Sequence, residues 1–183
     1  FTEQPVPVEY LEKILEAAQL APTARNAQPL EYTLVTNAQI LQAVHEATIH
    51  VCGIIYEKLK DSTDKNERSR ALYCLTLMKK YKSGYEVILR GAKALIIIHS
   101  KDAGVVADAN LAYQNASLMA EALGVAHFYT GYVRLFAASD VERAICKSLQ
   151  IEGTILAGMA LGMPRFTFSK YVDRNEPIVH RLL

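Results

Sequence analysis

Between Leu20 and Leu30 the chain sets Thr23, Arg25, Asn26 and Gln28 within a few residues, bracketed by Pro22 and Pro29. Together they offer a hydroxyl, a guanidinium and two amides from one short turn. Packed cores seldom need so many polar groups side by side. A polar, planar ligand does. The same residues also suit a plainer outcome, a turn whose side chains cap their own backbone. Elsewhere the chain is poor in catalytic side chains. It has no G-x-x-x-x-G-K-[ST], no G-x-G-x-x-G after a strand, no H-E-x-x-H and no G-x-S-x-G. His45, His50, His99, His127 and His180 stand apart without ligand spacing, so no metal site is expected. An enzyme built this way borrows its chemistry from a cofactor.

The elements that must position the polar turn follow from apolar periodicity. Leu11, Ile14, Leu15 and Ala18 fall on one helical face after Pro5-Val6-Pro7, and Pro22 ends that helix. Tyr32 to Val35 reads as a strand. Asn37 is placed to cap a helix through Ile40, Leu41, Val44 and Ala47. Residues 60–70 show no apolar period and read as a solvated loop leading into a helix around Leu72 to Tyr81. Ala92 to His99 is rich in β-branched residues and reads as a fully buried strand. Ala107 to Leu123 is a small-residue helix with Gly124 at its C′ position. Val125 to Thr130 is a strand, Ser139 to Glu142 resembles a capping box opening a helix to Leu149, and Thr154 to Leu161 is a glycine-punctuated central strand. The tail after Pro164 is polar and extended. Strands alternate with helices in one α/β or α+β domain over residues 1–183.

Bulk properties narrow the class further. The chain has 183 residues, enough to bury a core, with 51% hydrophobic and 21% charged residues. A net charge of +1 leaves no electrostatic case for nucleic acid or an anionic membrane. The longest strongly apolar run, Ala94 to Ile98, is too short to span a bilayer. Cys52, Cys74 and Cys146 are odd in number and lack C-x-x-C spacing, which excludes a zinc ribbon or iron–sulfur cluster and favours buried thiols in the cytoplasm. The sequence opens at Phe1 rather than Met, and an upstream segment is expected.

Four segments, in order, carry a resemblance to a known family. They are Pro22-Thr23-Ala24-Arg25-Asn26-Ala27-Gln28; Ile88-Leu89-Arg90-Gly91-Ala92 running into Leu95 to His99; Asp108-Ala109-Asn110 through Asn115 to Gly124; and Leu161-Gly162-Met163-Pro164 followed by Lys170 and Arg174. The chain resembles the nitroreductase-type FMN flavoproteins over nearly its whole length, and most of all the branch often fused to an N-terminal ferredoxin-like domain. Lys93 stands where that family usually has proline. The resemblance implies an α+β fold with a mixed central sheet flanked by helices, an extended C-terminal arm from Phe166 onward, and an intertwined homodimer. Ala112, Ala116, Ala120 and Ala122 would allow close helix approach at the interface.

The implied cofactor is FMN. Thr23, Ala24, Arg25, Asn26 and Gln28 would lie against or position the ring, whose reduced form gathers negative charge that donors stabilise. Thr130, Gly131 and Tyr132 would present backbone N–H groups to it, and Lys170 and Arg174 would bind the phosphate. A basic segment that family members carry just before the position of Phe1 is missing here, which should weaken the phosphate grip. No side chain is assigned as acid or base. The implied activity is an FMN-dependent oxidoreductase reducing nitroaromatic, quinone or related acceptors with electrons from NAD(P)H, or from a ferredoxin-like donor, in a ping-pong cycle. Residues 51–84 would form a variable helical cap over the small aromatic acceptor, with Tyr56, Tyr73, Tyr81 and Tyr85 as stacking candidates. A non-catalytic flavin-binding or sensing module, and a dehydrogenase or dehalogenase variant, are the alternatives on the same fold.

Overall fold

The computed structural model of the protein describes residues 1–169 and 172–182. Its elements in chain order are α1 (Val8–Gln19), a 3-10 turn (Ala24–Asn26), β1 (Glu31–Val35), α2 (Ala38–Leu59), α3 (Lys65–Lys82), β2 (Ala94–Ser100), α4 (Val106–Ala122), β3 (Ala126–Tyr129), α5 (Gly131–Ala137), α6 (Ala144–Ser148) and β4 (Thr154–Gly162). The strands form one sheet in the order β1-β2-β4-β3. The α+β class is as expected. Where a mixed sheet was anticipated, all three pairings among the described residues are antiparallel, because β4 enters between β2 and β3.

The sheet is the middle of three layers, and β2 shows why. Every residue of β2 is buried. Leu95 and Ile97 face a core shared with α2, α3, α5 and α6, while Ala94, Ile96 and Ile98 face a second core shared with α1 and α4. Period-two alternation therefore carries apolar side chains to both faces. Each large one contributes about 1.5–3 kcal/mol on burial, which is why a strand this apolar must lie inside. β4 is buried almost throughout, and Gly158 explains how it can be. A Cβ there would collide with Thr130 Oγ1 and Ile97 Cδ1. Only glycine lets the two neighbouring elements close over the strand.

Helix ends follow local chemistry. The Asn37 side chain accepts from the amides of Gln39 and Ile40, as expected of an N-cap. Past Leu123, Gly124 at φ +70° and the bond from Val125 N to Ala120 O (2.9 Å) close a Schellman turn on α4. Two expectations fail. The polar run 60–70 is not a long loop, because Asp64 caps the Asn66 and Glu67 amides and starts α3 at Lys65. Its polar residues lie on the exposed side of that helix, so they show no apolar period. Nor does Ser139 open a capping box. Residues 131–137 form α5 instead, and the Asp140 carboxylate caps α6 by accepting from Ile145 N at 2.8 Å. Ser139 Oγ accepts from the Arg70 guanidinium.

All three cysteines are buried and unpaired. Cys52 and Cys74 meet where α2 packs on α3, and their mutual hydrogen bond together with burial pushes the Cys52 thiol well above its usual range. Among the described residues no helix is long and apolar enough to cross a membrane, and no group of His, Cys, Asp or Glu is arranged to hold a metal. From Met163 onward the described tail has no regular structure, and from Pro164 it is exposed.

Candidate functional site

The polar turn is built around three left-handed residues. Thr23 is extended, and the chain then coils through one 3-10 turn in which Arg25, Asn26 and the following Gln28 take φ of 56°, 52° and 48°. Side chains resist this region, at roughly 1–2 kcal/mol per residue for most and less for asparagine. Specific bonds hold it. Ala24 N donates to Asp108, with both carboxylate oxygens at 3.2 Å. Gln28 N donates to Thr23 Oγ1 at 3.0 Å, Asn26 N to Thr23 O at 2.9 Å, and Gln28 Nε2 to Asn26 Oδ1 at 3.1 Å. Thr23 therefore serves the loop itself. The Arg25 guanidinium, by contrast, is exposed and has no ion-pair partner among the described residues.

Asp108 has a role that sequence reading did not assign. It lies in the first turn of α4 and is only 6% exposed. The signal was present: Asp108, Ala112, Ala116 and Ala120 form one i, i+4 stripe of which the alanines are fully buried. A carboxylate in a buried stripe needs a partner, and here that partner is the loop amide. Ala112, Ala116 and Ala120 consequently pack into the chain's own core against α1 and the sheet rather than onto an interface, while Ala122, the fourth alanine expected there, is exposed. The outward side of α4 instead exposes Leu111 and Leu118, with Asn115 partly covered between them.

The Thr130–Tyr132 segment is not a simple strand-end turn but the opening of α5. Thr130 N donates to Gly158 O at 2.8 Å. Its hydroxyl is buried without a hydrogen-bond partner among the described residues. Just before it, the Tyr129 hydroxyl lies 3.4 Å from both Asn110 Oδ1 and Leu156 O. The start of α4 thus ties both predicted segments to one scaffold, Asp108 holding the turn and Asn110 bonding the strand that leads into Thr130.

Tyr132 reaches outward and meets the Tyr73 hydroxyl of α3 in a short hydrogen bond. Desolvation and that bond push the Tyr73 phenol up to about 12. Next to Tyr132 is a cleft of about 520 Å³ whose walls include Leu77 and Lys80 of α3, Tyr85, Glu86 and Arg90 of the α3–β2 connection, and Tyr132 itself. The four tyrosines expected to stack on a ligand therefore divide. Tyr85 lines this cleft and Tyr73 touches it through Tyr132, whereas Tyr56 packs on the core and Tyr81 lies tilted against the His45 ring, centroids 5.0 Å apart. Of the expected phosphate ligands, Arg174 is exposed on the extended tail, and Lys170 lies outside the described residues.

Comparison with known proteins now bears on this geometry. The family model described as the nitroreductase family matches residues 1–163. No curated protein matches the chain. Among solved structures, a nitroreductase with bound FMN from Bacteroides fragilis is similar with a TM-score of 0.70 at 22% identity, covering 99% of this chain and 91% of its own. One with bound FMN from Desulfitobacterium hafniense gives 0.70 at 20%, covering 95% and 87%. The FMN-dependent nitroreductase from Mycobacterium smegmatis in complex with NADPH gives 0.61 at 17%, covering 95% and 92%. Three-layer architecture, left-handed polar turn and a match spanning 163 residues converge: the chain belongs to the nitroreductase family.

Proposed function

We propose that the chain is an FMN-dependent oxidoreductase that reduces nitroaromatic, quinone or related acceptors with electrons from NAD(P)H in a ping-pong cycle. The observation that carries this reading is the turn at 23–28, held in an unfavourable backbone conformation so that Arg25, Asn26 and Gln28 project into solvent. Strain of that kind is retained where a site requires it. The residues fit FMN on a second count, since the buried Thr130 hydroxyl lacks a partner beside a glycine-lined strand. When bound, FMN would supply a ring that takes up and releases electrons.

The chain's own part is to bind and orient. Arg25 and Asn26 offer donors to carbonyl and ring-nitrogen acceptors, and a fixed cation nearby favours the electron-rich form. Asp108 keeps the turn in place. Lys170 and Arg174 are assigned to the phosphate, which Arg174 on its exposed tail would reach on a neighbouring copy in a homodimer. Residues 51–84, the end of α2 and all of α3, form the cap over the acceptor. The NADPH complex of the Mycobacterium smegmatis relative supports the nicotinamide donor; a ferredoxin-like donor is the other source of electrons. Three buried free thiols favour the cytoplasm.

The test is a visible spectrum of the protein before and after anaerobic NADH or NADPH. Flavin bands near ~450 nm that bleach support the reading. Bands that persist would redirect it to a different donor or to a binding module. Absence of flavin with FMN in excess would overturn it.

A further inference from the structure

The cleft beside Tyr132 is charged unevenly. Lys80 and Arg90 both line it, and neither has an ion-pair partner among the described residues. Its one carboxylate, Glu86, is turned aside, with Oε1 3.6 Å from Nδ1 of the buried His45. Two cations against one diverted carboxylate leave the walls with positive charge to be answered. Arg90 is held there by the backbone. It has φ +54°, followed by Gly91 at +76°, and this kink sets its guanidinium carbon 5.5 Å from the centre of the Phe128 ring. That contact steadies the side chain while its N–H fork remains available. Tyr85 and Tyr132 add aromatic surface.

We propose that this cleft is the acceptor subsite and that it selects small aromatic monoanions: a single ring bearing a carboxylate besides its reducible group, with Arg90 and Lys80 holding the charge and Tyr85 and Tyr132 the ring. Its place in turnover rests on the flavoenzyme reading above; the binding itself does not. A cleft of about 520 Å³ suits one small ligand. An uncharged ring would gain no charge-assisted bond from the two cations and would cost them hydration.

Benzoate and benzamide, matched in size and different in charge, are titrated by calorimetry into the protein in excess FMN. Wild type is expected to prefer benzoate by about tenfold or more, the scale of a charge-assisted contact. Arg90→Gln should reduce that ratio to near unity, and Lys80→Gln, on an exposed helix position, should reduce it in part. Equal affinity of wild type for both compounds, or a preference that survives both substitutions, would overturn the proposal. So would an Arg90→Gln protein that loses FMN and benzoate affinity by the same factor, since Arg90 would then hold the FMN phosphate. A benzoate preference without flavin reduction defeats the function reading alone, and flavin reduction without the preference defeats this proposal alone.

Discussion

Two buried polar groups decide what the candidate site can hold. Both carboxylate oxygens of Asp108 face the Ala24 amide, so this one side chain fixes the entry to a turn containing three left-handed residues. Asp108→Ala is expected to weaken FMN binding about tenfold, as one charge-assisted bond would. Asp108→Asn, which keeps a carbonyl acceptor, should lose less. Quenching of flavin fluorescence during titration reads both. Thr130 offers a second test. Thr130 is 2% exposed and its hydroxyl has no partner among the described residues, and an orphaned buried hydroxyl costs about 1–3 kcal/mol. Thr130→Val should therefore leave the flavin-free protein as stable or more stable in urea while lowering its FMN affinity. A variant that lost stability and kept FMN affinity would show that the hydroxyl serves only the fold. Sequence reading placed Thr23, Ala24, Arg25, Asn26 and Gln28 on one turn because their neighbours along the chain dictate it. It missed Asp108 because the partner amide is 84 residues away.

At the scale of elements, the sheet's centre carries a pH-sensitive residue. His99 in β2 is buried and its Nε2 lies 2.9 Å from Thr33 Oγ1 of β1. Burial holds its pKa below the usual 6.5, outweighing the opposing pull of Glu31. The folded form keeps the imidazole neutral longer than the unfolded form does. Its contribution is thus complete above pH 6.5 and is lost as pH falls toward the folded pKa. Urea midpoints for wild type should fall between pH 7.5 and 5.5 by more than those of His99→Gln, about one pH unit either side of the free histidine value. The end of α4 offers a second check. Gly124→Ala places a side chain at φ +70° and is expected to cost about 1 kcal/mol in the same assay. Asn37, Gly124 and the buried strand β2 were legible from sequence, since caps and runs are local. The starts of α3 and α6 were not. Asp64 and Asp140 set them, and their polar neighbours hid the period that would have marked a helix.

Taken whole, the molecule leaves apolar surface where the proposed dimer would form. Leu118 on the outer side of α4 is 61% exposed and Phe168 on the tail is 91% exposed, with Leu111, Phe166 and Ile178 similarly uncovered. A homodimer in sedimentation is expected, reduced to monomer by Leu118→Glu together with removal of residues 164–183. Loss of FMN in a monomer made by Leu118→Glu alone, which keeps Lys170 and Arg174, would place part of the site on the second chain. An unaltered oligomer would refute the proposed interface. By itself the sequence determined the polar turn, the two-faced core strand, the glycine that lets β4 be covered, and the family. Each of these depends on neighbouring residues or on a motif read along the chain. Only the tertiary structure decided which polar groups are anchored and which remain available. It turned Ala112, Ala116 and Ala120 of α4 inward, gave Asp108 to the turn, and gathered Lys80, Arg90, Tyr85 and Tyr132 around one cleft. The reason is physical: burial and charge balance are sums over residues distant in sequence, and folding alone brings those residues together.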